Sequence, residues 1–394
     1  MIPAIPRLTC AGLLSLLFAA AAVAAVAAAS TPPPAAADAR EPSPFRDPVD
    51  GKFDVSQFVD KAYGFVPLVI PITEPAVGYG AAAGLVFIDR PKNPAPGSFA
   101  RPSIWAVGGM VTENGTTGVF GGDSRYWLNG RLHTLVGAVK ASVNLDYYGS
   151  GENTALSEHP LRYNLAPVGG LVDAKYRLGD SHWWGGLRYV LASTDVSFNA
   201  PSGTPGLPSF QANSKIGGLT PTLSYDTRDN IFTPTKGFYA EAGVDLFSET
   251  VGSDYNFQKV NGVAMYYAPL AEKLTLGLRG DVKLSYGDVP FYLMPFVMMR
   301  GVAAMRYMGD DVAQLEGELR WQCWGRYSLV GFGGVGMTRK NTGLVQSEHT
   351  VTTYGTGIRY EIARKYGLHM GLDVAFGPDD PIIYIQFGSA WMRP

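Results

Sequence analysis

The segment LTPTLSYDTRDNIFTPTKGFYAEAGVDLF, residues 219–247, constrains the fold of this chain more than any other. In its first arm Leu219, Pro221, Leu223 and Tyr225 share one face, while Thr220, Thr222, Ser224, Asp226 and Arg228 share the other, which is the two-residue period of a strand. In its second arm Phe238, Ala240, Ala242, Val244 and Leu246 oppose Tyr239, Glu241, Gly243 and Asp245. Two alternating strands joined by a turn result. A soluble sandwich alternates as well, so the solvent has to be decided elsewhere. LTLGLRGDVKLSY, residues 274–286, decides it: Leu274, Leu276, Leu278, Val282, Leu284 and Tyr286 point one way, and Thr275, Arg279, Asp281, Lys283 and Ser285 point the other. Charges at every second residue beside leucines at every second residue describe a wall between lipid and water.

The rest of the chain fits that reading. Of the 394 residues 46% are hydrophobic and 12% aromatic, enough for a large core. Beyond the N-terminal stretch, however, no run reaches the ~18 apolar residues of a membrane helix, so any apolar band must be built from strands. The 32 basic and 34 acidic residues nearly cancel, and no field recruits nucleic acid.

At the N-terminus, MIPAIPRLTCAGLLSLLFAAAAVAAVAAAS has Arg7, an apolar run, and then Ala27, Ala28 and Ala29. A secretory signal peptide cleaved after Ala29 is expected over residues 1–29; a signal anchor is the alternative. Cys10 precedes most of the apolar run and is not placed as a lipoprotein cysteine. The exported chain then retains only Cys323 and cannot form an internal disulfide.

Residues 30–63 read as a periplasmic linker ending in a short amphipathic helix. Residues 30–50 are rich in Pro, Ala and charge. In GKFDVSQFVDKAYGF, Asp54 and Gln57 have capping-box spacing, and Val55, Phe58, Val59 and Ala62 share a helical face. From residue 64 to 391 the text is strand, turn, strand, punctuated from the chain's 48 glycines and 28 prolines. Fifteen alternating segments are legible from 77–88 to 381–391. An even count requires a sixteenth, and FVPLVIPI, residues 65–72, supplies it. The expectation is an all-β chain, a transmembrane antiparallel β-barrel of about 16 strands. Residues 392–394 form a C-terminal tail, and both termini lie in the periplasm. The turns at Lys365, Gly325 and DNIFTPTK then fall on the periplasmic side, and the connections after Asp146, Asn199 and Gly287 fall outside; RPKNPAPGSFARP, from Arg90, is a long periplasmic exception.

Three segments carry a family resemblance. SYDTRDNIFTPTKGFY, residues 224–239, resembles the strand–turn–strand signature of the BamA/TamA outer-membrane assembly superfamily, the bacterial surface antigen family. MRGVAAMRYMGDDVAQLEGELRW, residues 299–321, is similar to its Val-Arg-Gly-Phe/Tyr loop tip and following strand. IYIQFGSAW, residues 383–391, is similar to its closing strand. The resemblance implies an outer-membrane barrel that aids insertion or translocation of proteins or lipids, with a weakly sealed seam between FVPLVIPI and the C-terminal strand. It implies a loop lock of Arg300 and Gly301 against Glu318, and an assembly signal in Phe387 and Trp391. Two departures stand out. Only about 34 residues separate the signal from the first strand, against the ~75 or more of a small domain, so the chain reads as a short branch without POTRA domains. In GFGGVG, residues 331–336, Gly334 stands where the family tends to place an Asp.

The residues themselves support part of this. Arg300 sits among apolar loop residues that are costly to expose, which favours a loop folded into a polar lumen. Asp373 in GLDVAFG is expected to be a second anchor. Asp226, Arg228, Asp229 and Asn230, with Pro234 and Gly237, read as a capped periplasmic turn, because the spacing of a calcium loop is missing. GFGGVG has no helix after it and reads as close packing against an inserted loop. Tyr147, Tyr148, Trp183, Trp184, Tyr266, Tyr267 and Trp391 are expected in aromatic girdles. No metal, cofactor or enzymatic constellation is expected, since His133, His159, His182, His349 and His369 show no metal spacing and no GxSxG accompanies them. Expected partners are outer-membrane lipids, with client outer-membrane proteins or the barrel assembly machinery. The alternative is a passive narrow pore or scaffold. Pro67 and Pro71 remove two donors from the first strand and weaken the seam on physical grounds.

Overall fold

A computed structural model describes residues 43–61, 64–89, 103–148, 156, 158–198, 211–341 and 346–392. The predicted signal peptide, most of the linker, the RPKNPAPGSFARP connection and the last two residues lie outside that set. Sixteen strands form one sheet in sequence order, every neighbouring pair antiparallel. They are β1 (Gly64–Glu74), β2 (Gly78–Asp89), β3 (Ser103–Thr112), β4 (Thr117–Trp127), β5 (Leu132–Tyr147), β6 (Leu161–Arg177), β7 (Trp183–Phe198) and β8 (Gln211–Asp226). The second half comprises β9 (Gly237–Phe247), β10 (Phe257–Ala271), β11 (Leu274–Gly287), β12 (Asp311–Trp324), β13 (Tyr327–Asn341), β14 (Gln346–Ala363), β15 (Leu368–Phe376) and β16 (Ile382–Phe387). The chain is thus a nearly closed antiparallel barrel of the expected strand number, FVPLVIPI included.

Alternation sorts each strand. On β11 and β12, Leu278, Val282, Leu315 and Leu319 face outward and are about half exposed, while Arg279, Asp281, Lys283, Gln314, Glu316 and Glu318 are buried on the inner face. The period of two also corrects the girdle. Trp183 and Tyr266 face out, 44% and 50% exposed, so their neighbours Trp184 and Tyr267 must face in, and Tyr267 is 4% exposed. Tyr147 also turns inward, packing edge-on against Phe291 at 5.1 Å.

The lumen is filled by the β11–β12 connection, residues 288–310. Its limbs pair as a small hairpin, Val297 N–H donating to Tyr307 O and Gly309 N–H to Pro295 O. Tyr292, Leu293, Met294, Phe296, Met305 and Met308 pack on inward apolar residues of β5–β10, among them Val139, Leu145, Tyr163, Leu165 and Phe247. A loop of this composition cannot stay in water. The inner wall is accordingly apolar where the loop rests and charged around its tip.

The N-terminal strap, residues 43–61, lies against the short-turn end of β12–β16. Its helix α1 (Ser56–Lys61) is shorter than the amphipathic run suggested. The capping box does not form: Asp54 Oδ1 accepts from Ser56 N–H at 2.7 Å, and Gln57 Nε2 donates instead to Arg46 O. Val55 is 3% exposed, packed with Ile362, Ala363, Leu368 and Phe387, and Phe58 stacks on Phe45 at 5.4 Å. The placement of the Val59 side chain lies outside the described residues. Arg326, in the β12–β13 turn, holds the strap through Asp47, Asp50 (2.8 Å) and Asp54 (2.6 Å).

This clamp has an acid limit. The hydrogen bond from Arg326 holds the Asp50 carboxyl below its ordinary range. Burial alone would raise Asp54, but hydrogen bonds from Ser56, from the Arg364 N–H and from Arg326 outweigh it and lower it too. Depressed carboxylates stabilise fully above their free value, near pH 4, and lose that contribution as pH falls through the folded value, because the released strap then binds more protons. A spin label on the strap should therefore be immobile from pH 7 down to about 4 and become mobile below it. In Arg326→Gln it should be mobile throughout. A label equally immobile in both proteins at pH 7 would show that Val55 packing alone retains the strap.

Candidate functional site

The loop tip reaches the middle of the barrel at Arg300. Its Nη1 donates to Glu318 Oε2 at 2.8 Å and to Asp373 Oδ2 at 3.0 Å, and its Nε lies 3.9 Å from Glu316. The guanidinium lies over Phe332, 3.6 Å from the ring centroid, and the residue is 3% exposed. Alternation explains the convergence: Glu316 and Glu318 are inward residues of β12, Phe332 of β13 and Asp373 of β15. Asp373, fully buried, also accepts from Arg359 at 2.5 and 2.8 Å. Arg279 donates to Glu316 Oε2 at 2.8 Å and pairs with Asp281 at 2.5 Å. Three guanidinium groups thus meet four carboxylates, Glu316, Glu318, Asp373 and Asp281. Removing one of these buried charges leaves its partner desolvated and uncompensated, which is strongly destabilising.

Glycines admit the loop. A Cβ on Gly334 would lie 2.8 Å from Glu316 Cγ, 2.9 Å from Leu315 O and 3.0 Å from Met299 Sδ, and one on Gly336 would lie 2.6 Å from Val297 Cγ1. GFGGVG is thus the floor on which Val297 and Met299 rest. At Gly355 a Cβ would come within 2.3 Å of the Phe332 ring, so that glycine lets Phe332 lie flat beneath Arg300. Gly301 has φ +91°, and its N–H donates to Tyr384 Oη at 2.8 Å.

The same tip contacts both ends of the sheet. Tyr384 belongs to β16, and Ala304 N–H donates to Glu74 Oε1, the last residue of β1, at 3.2 Å. Arg306 pairs with Asp379 in the β15–β16 connection. Among the described residues no ladder joins β1 to β16. β16 contributes only six residues, and β1 carries Pro67 and Pro71, which cannot donate. The loop, and not edge pairing, links the two edges at this end.

The C-terminal strand corrects the sequence reading. Phe387 is the last residue in the ladder, 8% exposed and packed in the cluster around Val55. Gly388, at φ +68°, turns the chain off the sheet, with its N–H on His369 O and that of Ser389 on Phe232 O. Trp391 therefore lies neither on the closing strand nor in the expected aromatic girdle. It is 2% exposed inside the barrel, packed with Tyr239, Met265 and Tyr267, and its Nε1 donates to Glu316 Oε2 at 3.0 Å. The sequence reading placed the end of the strand at Trp391, whereas the chain leaves the ladder at Gly388.

The β8–β9 turn does more than cap itself. Asp226 binds Arg228 through both oxygens at 2.9 Å. Asp229 accepts from Thr235 N–H at 3.0 Å, and Asn230 Oδ1 accepts from Phe232 N–H at 2.7 Å. Gly237 has φ +111°, with Thr227 O where a Cβ would sit. The turn also spans the short-turn mouth: Asn230 Nδ2 donates to Tyr366 O, Phe232 O takes the Ser389 N–H, and Pro234 O takes Arg320 Nη2 at 2.7 Å. Sequence reasoning missed Arg359, Arg279, Tyr384, Glu74 and Arg326. Inward parity marks the first three as lumen residues, but nothing local marks their partners. His133, one of the five histidines, lies 2.9 Å from Ser124 Oγ and stacks on Tyr126.

Residues 209–296 match the Omp85 superfamily domain. BamA from Haemophilus ducreyi lacking POTRA domains 1–3 has a similar structure at 12% identity, TM-score 0.54, over 83% of this chain and 70% of that one. CdiB from Escherichia coli is similar at 10% identity, TM-score 0.56, over 82% of this chain and 62% of that one, so this chain spans less than two thirds of CdiB. No curated protein matches the sequence. One segment thus matches the Omp85 superfamily domain, and the whole barrel shares the fold of these two structures.

Proposed function

We propose that this barrel works in the bacterial outer membrane, with its short-turn end and both termini in the periplasm, and that it helps polypeptides or lipids enter or cross that membrane through the β1–β16 edge. The observation that carries this reading is an edge with no ladder among the described residues, between a six-residue strand and a strand bearing two prolines, latched by a loop tip bound to Glu74 and Tyr384. An unpaired edge is a template for an incoming strand. Such a latch, the two hydrogen bonds and the Arg306–Asp379 ion pair, can be released without breaking a ladder. A passive pore fits less well, because the loop fills the lumen.

The test is a disulfide across the edge, from cysteines scanned over residues 66–70 of β1 and 382–386 of β16 in a Cys323→Ser background. In liposomes the reduced protein should speed the folding of a second barrel, and the oxidised protein should not. Equal acceleration in both states would exclude the edge. Steady ionic conductance with no acceleration in either state would favour the pore.

A further inference from the structure

The strap carries a surface that neither the lock nor the edge uses. Val49 is 79% exposed and Phe53 is 52% exposed, unusual for apolar residues in a segment pinned by three ion pairs. They do not stand alone. Tyr360 Oη donates to Phe53 O at 2.8 Å, and Tyr360 packs on Tyr327, which stacks on Trp324. Tyr360 and Tyr327 are on the outward parity of β14 and β13, and Trp324 at the rim is 75% exposed. The strap therefore continues the aromatic belt of the barrel's lipid-facing wall beyond the strand ends.

Its charge is one-sided. Asp47 and Asp54 are buried, and the carboxylate of Asp50, itself exposed, is neutralised by Arg326. Arg46, Lys52, Arg364 and Lys365 are exposed around them. The Lys52 ammonium lies 5.9 Å from the Trp324 ring centroid. Apolar side chains ringed by cations, level with an aromatic belt, match the boundary between phospholipid headgroups and acyl chains.

We infer that the strap is a membrane foot: Val49 and Phe53 enter the periplasmic leaflet beside Trp324, and Arg46 and Lys52 bind the headgroups of anionic phospholipid. This rests on the orientation in the proposed function, but not on any client activity. The Arg326 clamp gives the foot its purpose. It ties the leaflet to the segment that runs into β1 and, through Val55 on Phe387, to β16. The strap thereby links the lipid surface to Phe387 at the end of β16.

The experiment uses full-length protein with Cys10 and Cys323 replaced by serine and a fluorophore on Val49→Cys, reconstituted in phosphatidylcholine vesicles with or without phosphatidylglycerol. A nitroxide placed shallowly on phosphatidylglycerol should quench the fluorophore roughly fivefold more than the same nitroxide on phosphatidylcholine, the effect of about one favourable charge near the surface. Arg46→Glu with Lys52→Glu should erase the preference while the barrel remains heat-modifiable. Quenching by aqueous iodide and by neither lipid would place the strap in water or against a soluble protein, and would overturn the proposal. Equal quenching by the two lipids before charge reversal would overturn it as well. Loss of client-folding activity with the preference intact would fault the proposed function alone.

Discussion

Replacing Arg300 with alanine should release the loop tip from the lumen. The change removes a cation shared by Glu318 and Asp373 and leaves the buried Glu318 carboxylate without it, a loss of the kind that costs about 3–5 kcal/mol. Asp373 suffers less, because Arg359 still holds both its oxygens. Glu318→Ala should cost less than Arg300→Ala, since Arg300 keeps Asp373. The double variant should be less harmful than the sum of the two by about 1–3 kcal/mol. Arg300→Lys should not restore the parent, because a lysine carries no planar group to lie on Phe332 while serving two carboxylates. Protease cleavage within residues 295–309 and the denaturant midpoint in micelles would report the loop and the barrel separately. Strict additivity, or a lysine variant as resistant as the parent, would refute the lock.

Most of the barrel was legible because alternation is a local signal. Residues 274–286 reveal their two faces without knowledge of any neighbour, and parity alone recovered β1. The lock was legible in part for the same reason, as Glu318 and Asp373 both sit at inward positions and a loop of Phe296, Val297, Met298 and Met299 has to go inside. What stayed hidden depends on contacts between distant segments. Arg326 reads as an ordinary turn residue until Asp47, Asp50 and Asp54, more than 270 positions away, close on it. Trp391 reads as a strand end because its sequence fits one. The departure is decided by Gly388 and by a carbonyl at Phe232, in a turn on the far side of the mouth. Gly334 gave the opposite lesson. It reads as a departure from the pattern the chain resembles, whereas here the loop needs the absence of a side chain.

That reading of Gly334 predicts that introducing the aspartate expected from the resemblance does harm. Gly334→Asp would place a Cβ within 3.0 Å of Glu316, Leu315 O and Met299, and the carbonyl among these belongs to the β12 backbone, which cannot swing aside. The carboxylate would then join Glu316, Glu318, Asp373 and Asp281 opposite three arginines, adding repulsion to overpacking that by itself costs about 1–3 kcal/mol. Gly336→Val should act through packing alone, by driving Val297 off the wall and breaking the Val297–Tyr307 rung that sets the loop hairpin. Gly331→Ala supplies the control on the same strand: it faces outward with nothing within 4 Å of its Cβ position, and should leave the loop as it is. Limited proteolysis should cut residues 295–309 in the first two variants and spare them in the third. If Gly334→Asp protects the loop as well as glycine does, the carboxylate has found Arg300, and the packing argument for this glycine is wrong.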